Sequence, residues 1–139
     1  MDEKDYAGAE EALRTAARLE PVSVDIQNEL GSALFAQARY PEAERCYREA
    51  LRIKESQGES WFNLGLCLMN QRNNEGAIEA FKSATRYKPD MMYAYIRWGQ
   101  ALGRLKRVPE AIEQMKHALQ LSPENKEAKE MLEILEKFK

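Results

Sequence analysis

An interval of 34 residues recurs throughout this chain of 139 residues. It separates the members of three series of small residues: Gly31, Gly65 and Gly99; Ala43, Ala77 and Ala111; and Ala50, Ala84 and Ala118. A fixed period between about 20 and 50 residues is typical of solenoids, because each unit is too small to bury its own apolar face and must stack on its neighbours. The interval therefore predicts a repeat protein with an elongated core.

Each period contains the pattern of two amphipathic helices. In the middle period, apolar or small residues recur three or four positions apart in two runs: Trp61, Leu64, Gly65 and Leu68, then Ala77, Ile78, Phe81 and Ala84. This spacing places the members of each run on one face of a helix. The break at residues 72–75 contains two asparagines, and the equivalent breaks contain Pro41 and Pro109, each followed by an acid, which is typical of a helix start. Each period therefore predicts a helix-turn-helix unit.

These bulky and small residues resemble the pattern of the tetratricopeptide repeat (TPR). The middle unit carries that pattern almost completely, with Trp61, Leu64, Gly65, Leu68, Ala77, Phe81, Ala84 and Pro89. The preceding unit has Gln27 in place of the bulky opening residue and Glu55 in place of the proline, and the following unit has Trp98 where leucine is usual. The resemblance extends over nearly the whole chain and implies an all-α fold, an α-solenoid coiled into a right-handed superhelix.

The repeat boundaries predict one domain over residues 1–139. We expect residues 1–23 to form the second helix of a partial repeat and residues 126–139 to form a C-terminal capping helix. Three full repeats lie between them, at residues 24–57, 58–91 and 92–125.

Composition excludes several classes of protein. The formal net charge is −2, and no apolar run approaches the roughly 18 residues that suggest a membrane span. No signal-like segment follows Met1, so we expect a cytoplasmic protein. Two cysteines, Cys46 and Cys67, and a single histidine, His117, provide neither a catalytic constellation nor a metal site. We therefore expect no enzyme and no cofactor.

Nucleic-acid binding is also disfavoured, because a single basic cluster stands without a surrounding excess of positive charge. That cluster is Arg104, Lys106 and Arg107.

The resemblance to TPR proteins implies a binding groove for a protein or peptide partner. In that family the first helix of each pair lines the concave side, and its outward positions bind extended peptides or short helices. Carried over to this chain, those positions predict a groove lined by Asn28, Ser32, Phe35, Phe62, Asn63, Leu66, Met69, Asn70, Tyr93, Ile96, Arg97, Gln100, Arg104, Met131 and Ile134.

Several of these residues have side chains suited to binding. Phe62, Tyr93 and Ile96 are large and lie off the core register, which predicts an exposed apolar patch of the kind that marks interaction sites. The side chain of Asn63 can both donate to and accept from a peptide backbone. Arg97 and Arg104 either offer forked donors to a carboxylate or are solvated surface charges.

Some members of the resembled family clamp the terminal carboxylate of chaperone tails with five Lys, Asn and Arg positions. Only two of the five match in this chain, where the positions are occupied by Asn28, Ser32, Asn63, Tyr93 and Arg97. The two that fit are Asn63 and Arg97. The sequence therefore disfavours this kind of tail and favours a ligand with apolar side chains and one acidic group.

Two features near the C-terminal end bear on the groove. Gly99 and Gly103 indicate either close helix packing or a gap in the groove at Gly103. The last helix carries two apolar stripes, one predicted to pack on the preceding unit and one that nothing obvious covers. The first stripe is Ala128, Leu132 and Leu135, and the second is Met131, Ile134 and Phe138.

Three hypotheses about function follow. The first is a non-enzymatic scaffold or adaptor that binds a peptide segment of a partner in its concave groove. The second is a targeting or assembly arm of a larger enzyme or secretion machine. The third is head-to-tail self-association through open ends of the solenoid, which the charge gradient from −3 over residues 1–23 to +2 over residues 92–125 could align.

Overall fold

The computed structural model describes residues 3–139, with side chains from residue 5 onward, and within these residues it is all-α. Its helices are α1 (Glu3–Leu19), α2 (Val24–Ala36), α3 (Tyr40–Ile53), α4 (Gly58–Asn70), α5 (Asn74–Tyr87), α6 (Met92–Arg104), α7 (Val108–Leu121) and α8 (Lys126–Glu136). Residues 1 and 2, which the sequence analysis assigns to the partial repeat, lie outside the described residues.

The helices pack in the order of the chain. α2 and α3, α4 and α5, and α6 and α7 form three antiparallel hairpins, with α1 packed before the first and α8 after the last. The first helices of neighbouring hairpins also meet, as α4 and α6 do. The buried side chains continue from Leu30 in α2 to Leu135 in α8 as one elongated cluster. The predicted all-α solenoid with three full hairpins and flanking helices is confirmed.

One turn geometry closes all three hairpins. Its central residue has a left-handed backbone, with φ of 59° at Ala38, 63° at Arg72 and 61° at Lys106. The N–H of the following residue then reaches back to the carbonyl oxygen of a leucine in the first helix, at 3.0 Å in the first hairpin and 2.8 Å in the second. This arrangement is a Schellman motif, which satisfies carbonyl groups that the end of a helix leaves open. Because the same turn recurs at the same interval, the two helices of each hairpin are joined in the same way and at the same angle.

A glycine in each first helix makes room for one large side chain of the second helix. A Cβ atom on Gly31 would lie 2.8 Å from the Tyr47 ring, and one on Gly65 would lie even closer to the Phe81 ring. Tyr47 is 2% exposed and Phe81 is fully buried. In the third hairpin, Gly99 meets the flexible tip of a methionine instead of a ring. The repeating glycine is therefore a packing requirement.

Polar side chains join the first two pairs of neighbouring units. Glu10 of α1 accepts hydrogen bonds from Gln37 at 3.1 Å, from Arg14 at 2.8 Å and from Arg39 at 2.5 Å. One interval later, Glu44 accepts from Gln71 at 2.9 Å.

At the third junction the residues equivalent to this glutamate and glutamine are Ile78, which is buried in the apolar core, and Leu105, which packs against that core. Two junctions are thus polar and the third is apolar.

The outer face of α8 differs from that of the other first helices. Ala128 and Leu135 are buried against the preceding hairpin, and Leu132 is half-buried. Glu133 occupies the position of the packing glycine, and Glu136 occupies the position of a buried leucine. A carboxylate at the glycine position would prevent close approach of a second helix. This face is therefore suited to water.

We predict that Gly65→Ala destabilises the protein more than Gly99→Ala. The added methyl group would press on the rigid Phe81 ring, and overpacking of this kind costs about 1–3 kcal/mol. At Gly99 the nearest atom is the tip of the Met115 side chain, which can move. Urea unfolding of both variants measures the difference, and equal losses would show that the ring contact is not the constraint.

The ion pairs of Glu10 predict a dependence of stability on pH. The hydrogen bond from Arg14 holds the pKa of Glu10 below its usual range, although burial opposes the shift, and Gln37 and Arg39 add to the lowering. A carboxyl group with a lowered folded-state pKa stabilises the fold above its unfolded pKa, and the contribution disappears as the pH falls through the folded value.

We therefore expect Glu10→Gln to lower the urea midpoint at neutral pH and to have little effect in acid below the folded pKa. Glu11→Gln is a matched control, because that side chain is exposed on the same helix. A loss of stability in Glu10→Gln that is the same at every pH would contradict the proposed role of the carboxylate charge.

Candidate functional site

The candidate site is the face formed by the first helices α2, α4, α6 and α8. The fifteen residues predicted to line it differ in exposure. Five are exposed, namely Ser32, Asn70, Tyr93, Arg104 and Ile134. Eight are half-buried, namely Asn28, Phe35, Phe62, Asn63, Leu66, Arg97, Gln100 and Met131. Two are buried, namely Met69 and Ile96.

The prediction that Ile96 and Met69 line the groove is wrong. Ile96 has no exposed surface and Met69 is 6% exposed, so neither can contact a ligand in this conformation. The reason lies in how the units meet. Asn28 occupies the same position in its repeat as Phe62 and Ile96 do in theirs. It forms hydrogen bonds with residues at the start of α4, so this repeat position faces the next unit.

Residues seven apart on a helix lie on nearly the same side, which places Met69 beside Phe62. We call this side of each first helix, at residues 28 and 35, 62 and 69, and 96 and 103, the seam. Side chains on the seam fill the space between neighbouring first helices. Phe62 is only partly available, since its ring also packs within its own hairpin, 5.8 Å from that of Phe81 in α5. Tyr93, away from the seam, is 49% exposed.

Two polar residues expected to meet a ligand are bonded within the chain. The amide of Asn28 donates to Gln57 at 2.9 Å, and its oxygen accepts from the buried Ser60 hydroxyl at 2.8 Å. Arg97 donates to the carboxylate of Glu127 in α8 at 2.6 Å, in an ion pair whose arginine side chain is 27% exposed. Both interactions tie one first helix to the next. These side chains hold the seam together.

Other polar residues of the predicted groove fall into two sets, those bonded within the chain and those without a partner in the described residues. Ser32 shares a hydrogen bond of 3.1 Å with the hydroxyl of Tyr47, and Asn70 donates to a carbonyl oxygen of its own helix. In contrast, the side chains of Asn63, Tyr93 and Arg104 have no hydrogen-bond partner within the described part of the chain. These three side chains are the ones free to bind another molecule.

A pocket of about 750 Å³ opens between α6 and α8, below the turn that joins α6 to α7. Its position follows from the seam. Phe35 and Met69 occupy this seam position in the first two hairpins, whereas the third has Gly103 and no side chain. The pocket is lined by Gly99, Gln100, Gly103, Arg104, Lys106, Val108, Met131, Ile134, Leu135 and Phe138. The gap that the sequence left open as an alternative at Gly103 is present.

Sequence reasoning did not place Lys106 and Val108 at the site. Lys106 lies on the turn between α6 and α7, and Val108 lies at the start of α7. Both are outside the first helices, where the resemblance predicts the groove. The signal that could have located the pocket was the change from a large apolar residue to glycine at one repeat position. The second apolar stripe of α8 adds two exposed walls, Ile134 at 50% and Phe138 at 72%.

The described residues offer little for covalent or metal chemistry. They contain no cluster of histidine, cysteine and acidic side chains that could hold a metal ion. Cys46 and Cys67 are buried free thiols, and burial raises the pKa of Cys67 to about 12, so the thiolate is disfavoured at neutral pH. His117 lies against the ring of Tyr95, with centroids 5.4 Å apart. Over the described range, no helix is both long and apolar enough to cross a membrane.

Comparisons with known proteins agree with the hairpin geometry. The model of the family described as tetratricopeptide repeat matches residues 1–58, 33–91 and 62–126. Curated protein sequences gave no match. Among solved structures, the chain is similar to the first TPR of Spaghetti (RPAP3) bound to the HSP90 peptide SRMEEVD, with 24% identity over 82% of this chain and 90% of that one and a TM-score of 0.80.

Two further structures extend the likeness. The Arabidopsis OM64 TPR domain is 26% identical over 82% of this chain and 94% of its own, with a TM-score of 0.79. MamA is 18% identical over 96% of this chain and 78% of its own, with a TM-score of 0.93. Because the family model covers most of the chain in three overlapping stretches, and glycine meets a large buried side chain once in every interval, this chain belongs to the tetratricopeptide repeat family.

Proposed function

We propose that the protein is a non-enzymatic cytoplasmic scaffold that binds a peptide segment of a partner protein on the face formed by its first helices. The observation that carries this proposal is the set of free side chains on that face. Asn63, Tyr93 and Arg104 have no partner among the described residues, while most neighbouring polar groups are bonded internally. Unpaired polar groups beside exposed apolar surface are typical of interaction sites.

The similar structure of Spaghetti binds an HSP90 peptide, which supports a peptide ligand for this fold. The side chains of this chain nevertheless argue against a chaperone tail held by a carboxylate clamp. Of the two matching clamp positions, Arg97 is paired with Glu127, and only Asn63 lacks a hydrogen-bond partner among the residues that the structure describes. Capture of a terminal carboxylate by Arg97 would break an ion pair that joins α6 to α8. We propose a partner segment recognised through its side chains.

The same face would serve the targeting or assembly arm of a larger enzyme or machine, so that role remains an alternative to a free-standing adaptor. Self-association by completing a repeat on α8 is less well supported by the structure. Glu133 stands at the position where every hairpin of the chain has glycine, and its carboxylate would meet the incoming helix. We propose that binding, and not end-to-end stacking, is the function of the first-helix face.

We predict that Asn63→Ala and Tyr93→Ala each weaken peptide binding about tenfold, which corresponds to ~1.4 kcal/mol. Peptides selected from a random library displayed on phage, with the wild-type protein as bait, provide the ligand, and isothermal titration measures the affinity. Each variant removes a side chain that does not support the fold, so thermal stability should be unchanged.

Gln120→Ala is the control, because Gln120 is exposed on α7, a second helix. Wild-type affinity in both groove variants would place binding on another surface and refute the proposal. Failure of the selection to yield any peptide that binds would count against peptide binding itself.

A further inference from the structure

The pocket between α6 and α8 has a composition unlike the rest of the first-helix face. Its floor and walls are apolar, formed by Val108, Met131, Ile134 and Phe138 around the space left at Gly103. The volume of about 750 Å³ is within the range of sites that hold ligands of drug size. The pocket therefore has room for a large side chain of a peptide.

Two cations stand at the rim of this apolar space. Arg104 and Lys106 both line the pocket, both are exposed, and neither forms an ion pair within the described part of the chain. Their neighbour Arg107, in contrast, donates to the carboxylate of Glu110 at 2.6 Å. Free cations beside apolar walls complement a ligand that carries acidic groups next to a large apolar side chain.

Gly103 itself has no packing reason to be glycine. A Cβ atom at this position would have only the Leu135 side chain nearby, at 3.8 Å, which is an ordinary contact. Its φ is not in the left-handed region. Glycine within a helix is less stabilising than alanine, so the space is kept at the expense of helix stability. Gly31, Gly65 and Gly99 differ, because each lies against a large side chain.

We propose that the α6–α8 pocket is the anchoring site for a short acidic segment of a partner protein, with one large apolar side chain of that segment in the space above Gly103 and its acidic groups on Arg104 and Lys106. This inference rests on the proposed function and specifies where on the first-helix face the partner is held and by what chemistry. The ion pair between Arg97 and Glu127 fixes α8 against α6 and keeps the pocket in shape before binding.

Two variants test the pocket. Gly103→Met places in the space above position 103 the side chain that the preceding unit buries at the same position, so α6 should fold normally. Arg104→Glu combined with Lys106→Glu reverses the charge of the rim. The double variant Arg45→Glu with Lys116→Glu is the matched control, because both residues are exposed on second helices and the change in net charge is the same.

The experiment is a phage selection on the wild-type protein, followed by fluorescence polarisation of the most enriched peptide, synthesised with a fluorescein label. The expected peptides carry Phe, Leu, Met or Trp beside two acidic residues. We expect at least about a tenfold loss of affinity in Gly103→Met and in the rim variant, equal to ~1.4 kcal/mol. The control double variant should bind as the wild type does.

Other outcomes separate the possible occupants. Peptides that bind Gly103→Met as tightly as the wild type, yet are lost in Asn63→Ala or Tyr93→Ala, would overturn this inference and leave the proposed function intact. Enriched peptides without acidic residues would overturn the role of the rim. Sedimentation that shows dimers in the wild type and monomers in Gly103→Met would make a second copy the occupant and overturn the proposed partner.

Gly103→Ala provides an independent check on the reason for the glycine. The added methyl group makes only an ordinary contact with Leu135, so we expect the urea midpoint to rise above that of the wild type. A lower midpoint would show that Gly103 is required for packing and is not there to keep the pocket open.

Discussion

The contact between a helical glycine and a large side chain of the following helix determines most of this structure. Gly65 lets the Phe81 ring lie directly on the α4 backbone, and Gly31 does the same for Tyr47. Close approach of two helices fixes their relative position within a unit, and the Schellman turn fixes their connection. Hairpins of the same shape then stack on one another, with the same rotation from each hairpin to the next. The elongated core, and the open face of the first helices, both follow from this contact.

The seam between neighbouring first helices decides which side chains remain available for binding. It has a different chemistry at each junction. Asn28 makes hydrogen bonds there, Phe62 packs on the core, and Ile96 is completely buried. A resemblance assigns all three to the groove, because they share one repeat position. Their roles differ because burial depends on which side chain the next unit presents.

The α6–α8 pocket arises from the same geometry because a side chain is missing at one seam position. Where Phe35 and Met69 fill the seam, Gly103 leaves it empty, and the apolar stripe of α8 lies on the other side of the space. It is bordered by two charged residues, Arg104 and Lys106, that have no ion-pair partner in the part of the chain that the structure describes. A solenoid can thus acquire a binding site through one substitution in a repeated position, because every other contact of the unit is maintained by its neighbours.

The sequence by itself determined the interval, the two helices of each unit, the hairpin glycines and the family, because periodic apolar spacing and tight helix packing are local requirements visible in the order of residues. Only the tertiary structure decided which groove residues are free. The burial of Ile96 and Met69, the pairing of Arg97 with Glu127 and the space beside Gly103 depend on the distance between helices of different units. That distance is set by side chains about 30 residues apart, and no repeat pattern specifies it.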